Sequence, residues 1–330
     1  MRLSSFNPKT CFISIVTASI INVQVSAQPS ALKFAAFPGN PAGYGPLTGN
    51  LVIAIQSNTN DSSGRIDANS PVVNATFSIT NQQYSLPTSQ ISTGRGFSFG
   101  ALQTNSSATA FSAGLFEQMN FVSSPCNSQF TAGTSVAPGT GIDVNTNRAV
   151  TMFLSAKALA NAGASTGGRY YFGDLTITFN QKIANPVLHI VGLGGYYHSL
   201  GFTAELELQT RGIVLSKLSG SSELTISSGT RILNSSNHPG SSTGSGAASG
   251  SVLASGAEVS SLTFKVYLRG DGNDDKWSDA DDHQGDVFLI GISFNAMAGI
   301  SETVFNGREG LLNDQADRMI STDPGKSQRH

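Results

Sequence analysis

Three stretches of this chain alternate apolar and polar side chains with a period of two, and that pattern restricts what it can fold into more than any other feature. Leu175, Ile177 and Phe179 alternate with Thr176, Thr178 and Asn180. Phe202, Ala204, Leu206 and Leu208 alternate with Thr203, Glu205, Glu207 and Gln209, and Leu262, Phe264, Val266 and Leu268 with Thr263, Lys265, Tyr267 and Arg269. Successive side chains of a strand point to opposite faces, so these runs predict a sheet with one face buried and one in water. Further apolar runs at 51–55, 72–79, 150–154, 187–193, 224–226 and 287–294 read as strands, with Gly, Asn, Ser and Pro between them.

Many strands joined by polar connections predict an all-β chain, a two-sheet antiparallel β-sandwich that is jelly-roll-like, with few short helices. The helix candidates are Phe153–Ala162, which is Ala-rich, and Gly310–Ile320. Asn237–Ser251 is rich in Gly, Ser, Ala and Pro and lacks apolar periodicity, so it reads as a mobile loop between two strands. No repeat of fixed period is visible, which argues against a solenoid or propeller.

The amino terminus bears on compartment. Arg2 and Lys9 precede an apolar run from Cys11 to Val23 that closes on Val25-Ser26-Ala27, a small-x-small cleavage pattern. The run is shorter than the roughly 20 residues a spanning helix needs. We expect 1–27 to be a signal peptide, 28–298 a β-sandwich domain in which 28–150 could form a separate sub-domain, and 299–330 a partly disordered tail. The expected location is secreted or cell-surface, with no transmembrane segment after cleavage.

Losing Arg2 and Lys9 takes the net charge from −2 to −4, so no nucleic-acid partner is expected, since that would require a basic stripe. Charged residues make up 12% of the chain against about 25% in ordinary globular proteins. The surface must therefore be built from Ser, Thr, Asn, Gln and Gly, as in extracellular β-sandwiches. Cys126 is the one cysteine after residue 27. It reads first as a buried structural thiol and second as half of an intermolecular bridge.

The segment from Asp271 to Asp286 holds seven of the 21 acidic residues. Like charges so close together need water or a cation, and calcium takes six to eight oxygen ligands from such loops. Asp271, Asn273, Asp275, Asp279 and Asp282 fall at positions 1, 3, 5, 9 and 12 of an EF-hand-style loop, although Lys276 stands where the sharp turn wants Gly. Calcium in a lectin-like or adhesin-like loop and a plain solvated turn are both open readings. Trp277 lies inside this loop, and an aromatic beside carboxylates suits a sugar, its ring covering the apolar side of a pyranose. Folding back onto the core is its other reading. Tyr196, Tyr197 and His198 form a second aromatic loop that could line the same face.

Glu205 and Glu207 share one strand face, and retaining glycosidases need two carboxyl groups about 5 Å apart. The string Glu205-Leu-Glu-Leu-Gln209 resembles the E-x-D-x-E strand of jelly-roll endo-glucanases. Here Glu207 replaces the middle Asp, and Gln209 stands where the general acid should be. Gly240-Ser-Ser-Thr-Gly244 matches the nucleophile-elbow string but follows Pro239 within the Gly/Ser loop and lacks the required strand-to-helix turn. The histidines lack metal-ligand spacing.

The segment Phe172–Gly195, with a T-x-T-F strand running through Asn185-Pro186 into a second apolar strand, is similar to stretches in bacterial secreted and cell-surface β-sandwich domains. Tyr267–Gly272 and Gly285–Phe294 extend that resemblance across residues 170–294, and the last of these resembles the closing strand of concanavalin-type and MAM-type jelly rolls. The resemblance implies a surface or adhesion role and no catalytic activity. The leading expectation is therefore a secreted or cell-surface protein that binds a glycan or a surface partner, with calcium as a possible cofactor. A jelly-roll glycoside hydrolase using Glu205 and Glu207 and a structural envelope or matrix protein are the alternatives.

Overall fold

Strands that alternate can bury only one face, and the chain solves this by packing two antiparallel sheets against each other. The computed structural model describes residues 43–58, 66–105, 111–278 and 284–294, with side chains outside 56–58 and 66–71. The expected signal peptide, the carboxy-terminal tail and the helix at 310–320 lie outside these residues. Strands make up 52% of the structure and helix 4%.

The first half supplies β1 (Leu51–Asn58), β2 (Ile66–Thr80), β3 (Phe97–Phe99), β4 (Phe116–Gln118) and β5 (Arg148–Ser155), then the helix α1 (Ala156–Asn161). There follow β6 (Arg169–Ile183), β7 (Val187–Leu193), β8 (Gly195–Tyr197), β9 (Leu200–Leu208) and β10 (Ile213–Gly220). The last five are β11 (Leu224–Ser227), β12 (Arg231–Asn234), β13 (Ala248–Gly256), β14 (Val259–Gly270) and β15 (Gly285–Ser293). The first sheet runs β1-β2-β6-β14-β9-β12-β11 with β8 beside β9, and the second runs β10-β13-β7-β15-β5-β3 with β4 beside β5. From β6 onward the chain repeatedly crosses between the sheets, in the manner of a jelly roll.

The alternating runs all belong to the first sheet. In β14, Leu262, Phe264, Val266 and Leu268 are buried, while Thr263, Lys265, Tyr267 and Arg269 face outward. Each such buried side chain contributes about 1.5–3 kcal/mol relative to exposure. The main apolar core spans from Leu51 to Phe294, and β2 pairs with β6. The described residues of 43–150 thus share both the sheets and the core of the later strands.

At its centre the second sheet is covered on both faces, which is why β7 and most of β15 read as unbroken apolar runs. Every residue of β7 is buried. On its outer face Val191 and Leu289 pack with Met119, Phe130, Ala132, Ile142 and Val144 in a second small core. A polar relay fastens this cover. The Thr131 amide donates to Ser251 Oγ at 2.9 Å, and His189 Nδ1 lies 2.8 Å from the same oxygen. His189 Nε2 is 2.8 Å from Ser293 Oγ, and that hydroxyl donates to the Ala132 carbonyl at 2.5 Å. One arrangement satisfies every partner: a neutral ring that accepts from Ser251 and donates to Ser293. Burial pushes His189 down to about 3, in agreement with that neutral ring.

Three expectations are corrected. The helix at 153–162 is shorter, because β5 continues to Ser155, whose hydroxyl accepts from the Ala158 amide and caps α1. The loop at 237–251 ends at Ala247, and β13 begins at Ala248. Its opening Ala-Ser-Gly-Ser has no apolar period because the neighbouring backbone comes too close for larger groups: a Cβ on Gly250 would lie 2.3 Å from the Ser219 carbonyl oxygen. Cys126 is exposed and free, not a buried thiol.

Candidate functional site

At the end of the sandwich where β7 and β14 finish and β9 and β15 begin, two concavities open side by side. The first measures about 470 Å³ and is lined by Ser123, Gly194, Tyr196, His198, Ser241 and Gln284, among others. The second measures about 430 Å³ and lies between the tyrosine hairpin and the His238–Ser245 loop. Tyr196, His198 and Ser241 line both.

The corner that carries this site begins where the chain leaves β7 for the other sheet. Gly194 turns there with φ +135°, and a Cβ on it would meet the Gly240 carbonyl oxygen at 2.6 Å, so only glycine fits. Its amide donates to both carboxylate oxygens of Asp286, at 3.1 and 3.2 Å. The Ala204 amide of β9 donates to the same carboxylate. Asp286 is fully buried. Burial raises it to about 7, with the two amides acting in the opposite direction. This one side chain of the second sheet therefore ties down both the corner and a strand of the first.

After the corner, β8 and β9 form a tight hairpin in which Tyr197 pairs with Leu200. His198 takes φ +49° at the tip and stacks on the Tyr197 ring at 4.1 Å. Strand alternation turns Tyr197 inward and leaves Tyr196 out, 55% exposed. The Ser199 hydroxyl donates to Asp274 at 3.0 Å and ties the hairpin tip to the acidic loop.

Asp271 is saturated by protein donors. It accepts from the Gly201 amide at 3.1 Å, from the backbone and side chain of Asn273 at 3.0 and 2.9 Å, and from His238 Nδ1 at 2.6 Å. Its side chain is 3% exposed, whereas that of His238 is 54% exposed. The carboxylate thus fixes the imidazole by its Nδ1 side, and among the described residues Nε2 is left to meet a ligand in the second concavity.

The expected site residues separate on this geometry. Tyr196, Tyr197 and His198 line the first concavity, Tyr197 from a mostly buried position. Trp277 does not join them. It is 1% exposed, packs edge-on to Tyr170 and tilted to Phe202, and donates its indole N–H to the Ala164 carbonyl at 3.0 Å. The stacking role expected for it is replaced by the core role, because no ring face is open. Asp271 and Asn273 bond to each other and to His238. Asp279 and Asp282 lie outside the described residues, among which no group of three or more His, Cys, Asp or Glu could hold a metal.

Glu205 and Glu207 stand on the outer face of the first sheet, away from both concavities. Arg169 contacts Glu205 at 2.6 Å and Glu207 at 3.0 Å, and Arg269 takes the other Glu205 oxygen at 2.8 Å. The Arg169 guanidinium also lies over the Tyr267 ring, 3.3 Å from its centre. With both oxygens of Glu205 bound by arginine, the pair forms a cross-strand ion ladder, unlike the free acid and nucleophile a glycosidase needs.

His238, Ser241, Gln284 and Asp286 were not anticipated from sequence. The available signal was the lone histidine beside Pro239 in a Gly/Ser loop. Its partner Asp271 is 33 residues distant and comes near only through the pairing of β14 with β9. The fold defines the class, an all-β two-sheet antiparallel sandwich with a cleft at one end. No family model matches the chain, and searches of characterised proteins and of solved structures return no significant match.

Proposed function

We propose that this is an exported, non-enzymatic binding protein that holds a glycan in the end cleft. The observation that carries the proposal is Tyr196, an exposed ring set between two concavities lined by hydroxyl, amide and imidazole groups. Sugars present apolar faces and rings of hydroxyls, so an open aromatic beside short polar side chains is the chemistry that receives them. The leader pattern at 1–27 and the low charge of the surface support a place outside the cytoplasm, secreted or at the cell surface. The resemblance of residues 170–294 to secreted sandwich domains supports the same reading by analogy.

Calcium enters the proposal through the acidic loop, with Asp271, Asn273, Asp275, Asp279 and Asp282 as its ligands. A rise in melting temperature with calcium, reversed by EDTA, is its expected sign, and an unchanged melt removes it. For the whole reading the test is a glycan array with the chain from Gln28 onward. Selective binding to one class of oligosaccharide is expected, and a blank array across neutral and acidic glycans would leave a structural surface role in its place.

A further inference from the structure

The two concavities are not independent. They share Tyr196, His198 and Ser241, so a ligand lying across the Tyr196 ring enters both. Among the described residues neither is lined by a lysine, an arginine or a carboxylate. The described lining thus gives an acidic ligand no lysine or arginine and a basic one no carboxylate to pair with. What the lining offers is an aromatic face, hydroxyls, an amide and two imidazoles.

The second concavity also holds a more specific device. A surface histidine ordinarily samples several rotamers and both tautomers. His238 has its Nδ1 held by Asp271 at 2.6 Å, and Asp271 is itself fixed by the Gly201 and Asn273 amides. In the neutral ring a carboxylate accepting at Nδ1 places the proton there, which makes Nε2 an acceptor of fixed direction. Preorganising a polar group in this way reduces the entropy lost when a ligand hydroxyl meets it.

We propose that the occupant is a neutral oligosaccharide chain, not a single sugar, threaded across Tyr196 from the first concavity into the second, where His238 Nε2 accepts a hydroxyl hydrogen from a later sugar unit. Asp271 is the positioning residue that aims the ring. This rests on the glycan reading above and goes further by assigning ligand length, charge and a specificity contact. It divides the work between two residues. Tyr196 contributes to binding at every length, and His238 contributes only for chains long enough to reach it.

Calorimetry on the full mature chain tests this with a length series, from monosaccharide to hexasaccharide, of the neutral glycan that the array selects. Affinity is expected to rise at least tenfold along the series. His238→Ala should abolish that rise while leaving the affinity for the shortest bound ligand unchanged. Because His238 is a surface side chain, an unaltered melting temperature would confirm the fold of the variant. Tyr196→Ala should weaken every member. Affinity independent of length, or a rise that survives in His238→Ala, would overturn the chain-binding proposal and leave glycan binding standing. Selection of charged glycans alone would overturn it equally, and failure to bind any glycan would remove both readings together.

Discussion

The His189 ring lies 2.8 Å from the Ser293 hydroxyl across two neighbouring strands of the second sheet, and the pair anchors the cover segment through Ala132. The ring must be neutral to complete this chain of bonds. Its pKa falls from 6.5 to about 3 on folding, through burial. A depressed histidine contributes fully above its unfolded pKa and loses that contribution as pH falls toward the folded one. Unfolding free energy should therefore drop between pH 6.5 and 3, by up to about 1.4 kcal/mol per unit from this group. Urea denaturation of the wild-type chain and His189→Gln across that range checks it: the stability difference between the two should shrink as pH falls from 6.5 toward 3.

Asp286 predicts a slope of the opposite sign. Burial raises its carboxyl from 3.8 to about 7, so the folded state favours the protonated form. Stability from this group is greatest at or below the unfolded value and is lost as pH rises from 3.8 toward 7, again by up to about 1.4 kcal/mol per unit. In the wild-type chain the two slopes oppose each other between pH 4 and 6.5. Asp286→Asn should remove the decline and leave the histidine slope visible by denaturation at a series of pH values. A steeper decline in that variant would contradict the assignment.

Glu205 and Glu207 should differ sharply in cost. Glu205 is 5% exposed with two arginine partners, so Glu205→Ala removes a contact from each, leaving Arg169 with Glu207 and Arg269 with the Asn234 carbonyl, and should cost about 2–4 kcal/mol. Glu207 is 31% exposed and has one partner, so Glu207→Ala should stay within about 1 kcal/mol. Equilibrium unfolding of the two variants compares them directly. Polysaccharide turnover that Glu205→Gln abolishes in a folded protein would revive the hydrolase alternative.

Trp277 is the one tryptophan, so it reports on its own site. Buried against Tyr170 and Phe202, it should emit at short wavelength and resist acrylamide quenching until the chain unfolds. Trp277→Ala should cost about 3–5 kcal/mol. A red-shifted, readily quenched emission from the native protein would show that the ring is open to solvent.

Where one face meets water and the other the core, the strands could be read from sequence. The runs in β6, β9 and β14 are of this kind, and β7 was legible as a continuous apolar stretch. The opening of β13 was not, because Ser249, Gly250 and Ser251 are selected by the closeness of neighbouring backbone and by hydrogen bonds to Gly192 and Thr131, neither of which leaves a periodic trace. Tyr196 and His198 were legible as an aromatic loop after glycines. Trp277 was legible only as two alternatives, because an indole in an acidic stretch suits a ligand face or a cap on the core, and the structure packs its ring into the core. The bonds of Asp271 to Gly201 and His238 were not legible, because these donors come from distant segments of chain.

The most direct test of the account is the affinity of Tyr196→Ala and Trp277→Phe for the glycan that the wild-type chain selects, measured side by side by calorimetry. The account predicts at least a tenfold loss for Tyr196→Ala and unchanged affinity for a folded Trp277→Phe. Unchanged binding in Tyr196→Ala, or a loss confined to Trp277→Phe, would contradict the placement of the site in the end cleft.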